Sequence, residues 1–152
     1  MFDLHRAGAV AARLPATSKK SLFSALAHMA GRAHGLDVDT VLHALTEREK
    51  LGTTGFGGGT AIPHARLDGL PHVVGVVARL AQPLDYGALD GLPVDLVFLL
   101  LSPAQAGAEH LRALAAASRM LRDRAGLAKL RNAGSEDALV ALLLGEEDRD
   151  AA

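Results

Sequence analysis

The sequence predicts an α/β layered domain in which a sheet is covered by helices. Two stretches, 73–80 and 95–101, are almost continuously apolar, which is typical of strands buried on both faces. They lie between segments whose apolar residues recur every three or four positions, as in amphipathic helices. With 152 residues and a hydrophobic content of 49%, the chain can bury one core. We therefore expect residues 1–152 to form a single domain.

Two helices are predicted before the first of these strands. Thr17 or Ser18 can cap a helix whose apolar residues share one face, and Gly35 ends it. Asp37 or Asp39 can cap the second helix. The apolar stripe of this second helix consists of Val38, Val41, Leu42 and Leu45.

Turns and three further helices account for most of the remaining chain. Proline and glycine indicate turns at 83–87 and 90–93. The helices are predicted over 107–122, about 126–131, and 136–145. Ser135 is expected to cap the last of them. The chain ends, residues 1–15 and 146–152, are expected to lie at the periphery.

Composition argues against several classes of function. The net charge of -1, one tyrosine and no tryptophan do not favour nucleic-acid binding, which uses basic faces and stacking aromatics. The absence of cysteine excludes a disulfide scaffold and any cysteine-ligated metal. We find no signal peptide, and the longest apolar run, 96–101, is too short to span a bilayer. These features predict a soluble, cytoplasmic protein without membrane insertion.

The segment from Thr53 to Arg66 is rich in glycine and ends in Ile-Pro-His-Ala-Arg. Closely spaced amides free of side chains can form a concave anion site, and Pro63 stiffens the backbone that enters His64. The loop lacks the Gly-Lys-Ser/Thr of a Walker A motif and the third glycine of a dinucleotide fingerprint. The residues expected to bind a phosphoryl group are Thr54, Gly55, Gly57 and Gly59. The alternative is a hairpin turn beside an unrelated histidine.

Two further side chains are candidates for the same chemistry. Arg48 falls on the apolar stripe of the second helix, where a guanidinium must find an anion or extend its head to solvent. His110 lies at the start of the 107–122 helix and borders its apolar face. A helix N-terminus disfavours an imidazolium and favours a nearby anion. From the residues alone, a structural role for His110 is the simpler interpretation.

The run from Glu47 to Arg66 resembles the active-site signature of enzyme IIA components of the bacterial phosphoenolpyruvate phosphotransferase system. The type is the fructose/mannitol one, and the nitrogen-regulatory enzyme IIA is the nearest match. The similarity extends from about Ser18 to the last helix. The family commonly has a polar residue where this chain has Gly58.

This resemblance implies a mixed central sheet flanked by helices and a transferase-type activity as a phosphocarrier. His64 would accept a phosphoryl group from a small histidine phosphocarrier protein. Arg48 occupies the family's arginine position, and His110 matches its second histidine in the pattern His-Leu-x-x-Leu. The catalytic candidates are therefore His64, His110 and Arg48. Neither a metal nor another cofactor is implied.

Several functional alternatives remain at the level of sequence. The nitrogen-type relatives imply a regulatory module whose affinity for kinases or channels changes with phosphorylation. A sugar-transport enzyme IIA would instead pass its phosphate to a separate enzyme IIB. A third alternative is a ligand-binding domain that is not phosphorylated. A zinc site containing His64 and His110 would need a third ligand, and no close His/Glu spacing supports one.

Overall fold

The centre of the molecule is a sheet built around two long antiparallel strands. The computed structural model describes residues 3–151, with side chains described as far as Gly145. The strands are β1 (Val10–Leu14), β2 (Gly55–Gly57), β3 (Thr60–Ala61), β4 (His64–Leu67), β5 (Val74–Leu84) and β6 (Val94–Pro103). Their order is β1-β5-β6-β3-β2, and β4 also pairs with β6. Parallel and antiparallel pairs occur together, so the predicted mixed sheet is confirmed.

Helices cover both faces of this sheet. They are α1 (Lys19–His34), α2 (Val38–Lys50), α3 (Gly107–Arg122), α4 (Arg124–Asn132) and α5 (Glu136–Ala151). Along β6, Val97 and Leu99 pack in the cluster that contains α1 and α2, whereas Phe98 and Leu100 pack in the cluster that contains α3, α4 and α5. This alternation follows from the two-residue period of a strand. It explains why β6 is apolar from Leu96 to Leu101.

The predicted helix boundaries at α1 and α2 are confirmed in atomic detail. The Ser18 hydroxyl accepts a hydrogen bond from the Ser21 amide at 3.1 Å, and Gly35 ends α1 in the left-handed conformation with φ +69°. Asp37 caps α2 by accepting a hydrogen bond from the Thr40 amide at 3.0 Å. These caps depend on local chemistry, which is why the sequence located them.

One strand and one helix end near the chain termini differ from the predicted elements. Residues 10–14 form strand β1, which pairs in parallel with β5, and both Leu4 and Ala9 are buried. The N-terminal segment is therefore part of the folded core. Its Val-Ala-Ala run carries little strand propensity, so pairing with β5 decides its structure. Helix α5 runs to Ala151 and does not end at Gly145. A glycine inside a helix costs only about 1 kcal/mol, so it need not end one.

Three short strands were not predicted between α2 and β5. The glycine-rich segment forms a β2–β3 hairpin, and β4 follows it alongside β6. Strand β5 continues to Leu84, beyond the predicted end at Leu80. None of the helices in the described part of the chain has the length and apolar content that crossing a bilayer requires.

Candidate active site

His64 is the first residue of β4, at the surface of the sheet. Parallel pairing places it opposite Leu100 of β6, and the Leu100 amide donates to the Pro63 carbonyl at 3.0 Å. Ala65 and Leu67 point into the core, while His64 and Arg66 occupy the outward positions of the strand. Pro63 is itself buried. The imidazole is thus presented on a fixed strand end beside α2.

Two hydrogen bonds determine the protonation state of the His64 ring. Its Nδ1 lies 2.8 Å from the carbonyl oxygen of Ile62, which can only accept. Its Nε2 lies 3.3 Å from Nε of Arg48, which can only donate. Nδ1 must therefore carry the proton, and Nε2 holds the unshared electron pair. This assignment follows from the donor and acceptor chemistry of the two partner groups.

Arg48 reaches His64 from the last turn of α2. Its Nη1 also donates to the carbonyl oxygen of Gly52 at 3.0 Å, just beyond the end of the helix. The side chain is half-buried, so it does not simply extend into solvent. The structure thus brings together the two residues that the sequence analysis paired. The guanidinium retains further N–H groups for an anion.

His110 lies on the other side of His64. The two ring centroids are 5.7 Å apart with an interplanar angle of 52°. His110 is only 6% exposed, and its Nδ1 is 2.6 Å from the hydroxyl of the fully buried Ser102. Sequence reasoning missed Ser102, whose only signal is a hydroxyl at the end of an apolar strand.

The side chains of His64, Arg48 and His110 line one open cavity of about 500 Å³. It is lined by Ala44, Glu47, Arg48, Leu51, His64, Ala65, Arg66 and His110. Two arginines and one carboxylate make the lining positive when both histidines are neutral. Sequence reasoning also missed Arg66, although the two-residue strand period places it on the same face as His64. Within the described residues, no group of three potential metal ligands is present, so no third ligand joins the two histidines.

The predicted phosphoryl-binding loop does not reach this cavity. The four residues in question, Thr54, Gly55, Gly57 and Gly59, are absent from its lining. The Thr54 amide instead donates to Oε2 of Glu49 at 3.0 Å, and the Thr54 hydroxyl donates to the same carboxylate. That these residues hold a phosphoryl group stays a prediction.

The glycines serve close packing of the β2–β3 hairpin. A Cβ added at Gly55 would lie 2.7 Å from Cβ of Ala88, which is too close for any side chain. The Gly59 carbonyl accepts hydrogen bonds from the amides of Asp95 and Leu96, at 2.9 and 3.3 Å. The glycine-rich segment is therefore folded as a tight β2–β3 hairpin.

Burial and nearby positive charge keep both histidines neutral. Burial is the main cause that lowers the pKa of His64, and Arg48 and Arg66 lower it further. The hydrogen bond to Ile62 and the charge of Glu49 oppose this shift without reversing it. For His110, burial again dominates, and Arg66 and His64 also lower the pKa. A neutral ring leaves the His64 Nε2 electron pair available at neutral pH.

These shifts predict how stability depends on pH. Because both pKa values lie below the usual 6.5, the unfolded chain binds more protons than the folded protein as the pH falls through that value. The free energy of unfolding should therefore decrease on acidification below about pH 6.5. A double variant, His64→Gln with His110→Gln, should show a smaller decrease in urea titrations. For each protein, the free energy of unfolding at a given pH is compared with the value that the same protein has at about pH 8. If the free energy of unfolding decreased equally with pH in both proteins, the lowered pKa values of His64 and His110 would be contradicted.

The sequence is similar to known proteins over most of its length. Residues 4–145 match the family described as phosphoenolpyruvate-dependent sugar phosphotransferase system, EIIA 2. A nitrogen regulatory protein of Bradyrhizobium diazoefficiens is 45% identical over 141 residues, which cover 93% of this chain and 92% of the relative. One from Pseudomonas aeruginosa is 43% identical and covers 86% of each chain.

Solved structures show the same fold. The nitrogen regulatory protein IIA-Ntr from Neisseria meningitidis superimposes with a TM-score of 0.83 at 34% identity, covering 90% of this chain and 93% of the other. IIA mannitol from Escherichia coli gives a TM-score of 0.75 at 20% identity, covering 90% and 96%. The arrangement of His64, Arg48 and His110 thus occurs in a chain that belongs to the EIIA 2 family of the phosphoenolpyruvate-dependent sugar phosphotransferase system.

Proposed function

We propose that this protein is a phosphocarrier that accepts a phosphoryl group on Nε2 of His64 from the phosphohistidine of a small carrier protein. The observation that carries the proposal is the ring's hydrogen bonding. The Ile62 carbonyl holds the proton on Nδ1, and the Nε2 electron pair accepts the N–H of Arg48 Nε at 3.3 Å. A nucleophile needs that electron pair, and no deprotonation step is then required.

In the proposed transfer, the Arg48 N–H turns from Nε2 to a phosphoryl oxygen, and the Nε2 electron pair attacks phosphorus in line with the donor's P–N bond. The new P–N bond forms on His64 as the old one breaks, and the donor nitrogen keeps the electron pair of the broken bond. A proton on the other nitrogen of the donor ring lets that ring leave as neutral imidazole, while His64 keeps its Nδ1 proton. Such transfers need positioning and charge stabilisation more than acid–base chemistry. Arg48 supplies forked N–H donors to the phosphoryl oxygens, and Arg66 adds positive charge at the cavity wall.

His110 is proposed to act as a neutral donor and not as a second acceptor. If the Ser102 hydroxyl donates to its Nδ1, the proton of the neutral ring resides on Nε2. That N–H can then contact a phosphoryl oxygen in the cavity. The lowered pKa of His110 supports the neutral form. The full burial of Ser102 supports a fixed ring.

The surroundings of the cavity suit docking of another protein. Leu51 lines the cavity and is 84% exposed, and Leu111, next to His110, is 63% exposed. Large exposed apolar side chains beside a charged site are typical of protein contacts. We propose that the donor protein covers these two leucines while its phosphohistidine meets His64. The protein is then a transferase component that acts between proteins.

We further propose a regulatory role for the phosphorylated state. The supporting observation is that several relatives at 35–45% identity bear the name nitrogen regulatory protein. Phosphorylation would replace a positive cavity with a dianionic group, which changes its affinity for partners such as kinases or channels. Transfer to a separate enzyme IIB is the alternative, since IIA mannitol forms such a complex at 20% identity to this chain.

The assignment of His64 is tested by removing its ring. His64→Ala should fold and take up no phosphate from phosphoenolpyruvate, enzyme I and the carrier protein, because the only nucleophile proposed is lost. His43→Ala, an exposed histidine on α2, serves as the control and should be labelled normally. Acid-labile phosphate on the His64→Ala protein would exclude the proposed site.

Arg48 should matter through its geometry as well as its charge. Arg48→Ala should slow transfer by about 10²-fold, the scale for loss of one transition-state donor. Arg48→Lys should recover only part of the rate, because it keeps the charge but loses the fork. Rapid-quench kinetics measure both variants. Arg32→Ala, at the end of α1, is the control, and wild-type rates in Arg48→Ala would refute the role.

The donor role of His110 predicts a graded series. His110→Ala should still accept phosphate on His64, but more slowly, and His110→Gln should retain more activity because its amide can donate. Ser102→Ala should fall between His110→Ala and the wild type, since the ring stays but loses its fixed tautomer. Phosphosite mapping accompanies the kinetics. Phosphate on residue 110, or unchanged rates in all three variants, would overturn the role.

A further inference from the structure

Glu49 carries a buried carboxylate directly after Arg48 on α2. Its side chain is only 9% exposed, and it accepts hydrogen bonds from two residues on two different segments. Lys19 of α1 donates at 2.8 Å and the Thr54 amide at 3.0 Å, while the Tyr86 hydroxyl lies 2.6 Å from the hydroxyl of Thr54. The Thr54 hydroxyl donates to the same carboxylate. Glu49 does not line the cavity, so it does not touch the phosphoryl group.

The carboxylate remains charged in this environment. Burial alone would raise the pKa of Glu49, but hydrogen bonds from Lys19 and Thr54 outweigh burial and lower it. Lys19 is held in turn, because its ammonium lies 4.4 Å from the centroid of the Tyr86 ring. A buried ion pair of this kind often adds little net stability compared with apolar residues. The Lys19–Glu49 ion pair must therefore also serve to fix the positions of the groups around it.

A short series of hydrogen bonds connects this carboxylate to the His64 ring. Glu49 holds the Thr54 amide, and the Thr54 carbonyl accepts the Ile62 amide at 3.0 Å. The Ile62 carbonyl then accepts the proton on His64 Nδ1 at 2.8 Å. At Thr54 and at Ile62, the amide and the carbonyl that make successive bonds belong to the two peptide groups that flank one Cα, so each bond restrains the residue that makes the next. The orientation of the carbonyl that selects the tautomer thus depends on the Glu49–Thr54 contact.

The same contact also fixes Arg48. The Gly52 amide donates to the backbone carbonyl of Glu49 at 3.2 Å, and the Gly52 carbonyl accepts from Arg48 Nη1 at 3.0 Å. Gly52 and Thr54 are the first and the last of the three residues, 52–54, through which the chain leaves the end of α2. Anchoring Thr54 therefore limits the movement of Gly52 and of the guanidinium. The positions of His64 and Arg48 therefore both depend on the buried carboxylate of Glu49.

We propose that Glu49 is a positioning residue that sets the tautomer and orientation of His64, and the placement of Arg48, by anchoring Thr54. Its consequence for phosphoryl transfer rests on the proposed function, whereas its effect on the ring of the unphosphorylated protein does not. Glu49 acts through other groups and is not itself a catalytic residue. Through the contacts of Glu49, α1, α2 and the β2–β3 hairpin together determine which nitrogen of His64 carries the proton.

The test measures the ring and the reaction separately. Nitrogen-15 NMR of unphosphorylated protein, at about pH 8 where imidazole is neutral, reports which His64 nitrogen bears the proton. In Glu49→Ala we expect a mixture of tautomers, and transfer slowed by about 10- to 100-fold, the scale for a displaced reactive group. Glu49→Gln keeps an acceptor for the Thr54 amide and should show a smaller effect in both measurements.

Two controls separate positioning from stability and charge. Asp39→Asn removes a charge from the exposed start of the same helix and should leave the ring and the rate unchanged. Leu139→Ala destabilises the distant core beneath α5 and should lower the melting temperature without altering the tautomer. If Glu49→Ala does not fold, the His64 tautomer and the transfer rate of Glu49→Gln decide whether Glu49 has the positioning role.

The outcomes distinguish the two proposals. A wild-type ring signal in both Glu49 variants overturns the positioning role, whatever the transfer rates. A wild-type protein that takes up no phosphate overturns the proposed function, and the ring signals still decide the role of Glu49. If a Glu49 variant transfers phosphate slowly but its His64 ring signal is the same as in Leu139→Ala, the slow rate is due to lost stability. That result also contradicts the positioning role.

Discussion

The hydrogen bond from His64 Nδ1 to the Ile62 carbonyl is the contact on which the chemistry of this site depends. At 2.8 Å it places the proton on one ring nitrogen and leaves the electron pair on the other. The Ile62 carbonyl is fixed because its peptide lies between the hairpin and β4, and Pro63 follows it in a buried position. Without that carbonyl, the ring could turn or exchange its proton, and Arg48 would face no electron pair.

The sheet supplies the rigidity that this contact needs. Strand β4 pairs in parallel with β6, which is buried between two helical layers, so His64 begins a strand anchored in the centre of the domain. Arg48 comes from α2 on one side and His110 from α3 on the other. The site therefore lies where the two layers meet at the edge of β4. In the proposed function, phosphorylation there would reverse the charge of the cavity lining, which a partner can sense.

Much of this arrangement could be predicted from local sequence chemistry. The caps Ser18 and Asp37 and the periodicity of α1, α2 and α3 located those helices, and the apolar runs located β5 and β6. Arg48 was predicted as a site residue because a charge on an apolar stripe needs a partner. His64 and His110 were identified mainly through the family signature, with the stiff Pro63 as physical support.

The remaining features depend on contacts between distant segments. Strand β1 exists because it pairs with β5, and its alanine-rich sequence gives little indication of that. The glycines were interpreted as an anion cradle, and the fold adds a packing requirement at Gly55, which lies against Ala88. Ser102 and Glu49 become functional candidates only when the fold places them beside His110 and Thr54. Sequence spacing cannot show such pairings.

The most direct measurement is a phosphorus–nitrogen NMR correlation on the phosphorylated protein labelled with nitrogen-15 in its histidines. It identifies the nitrogen atom that is bonded to phosphorus. The structure predicts scalar coupling to Nε2 of His64 only, because Nδ1 is occupied by its bond to Ile62. Coupling to Nδ1 of His64, or to either nitrogen of His110, would contradict the account.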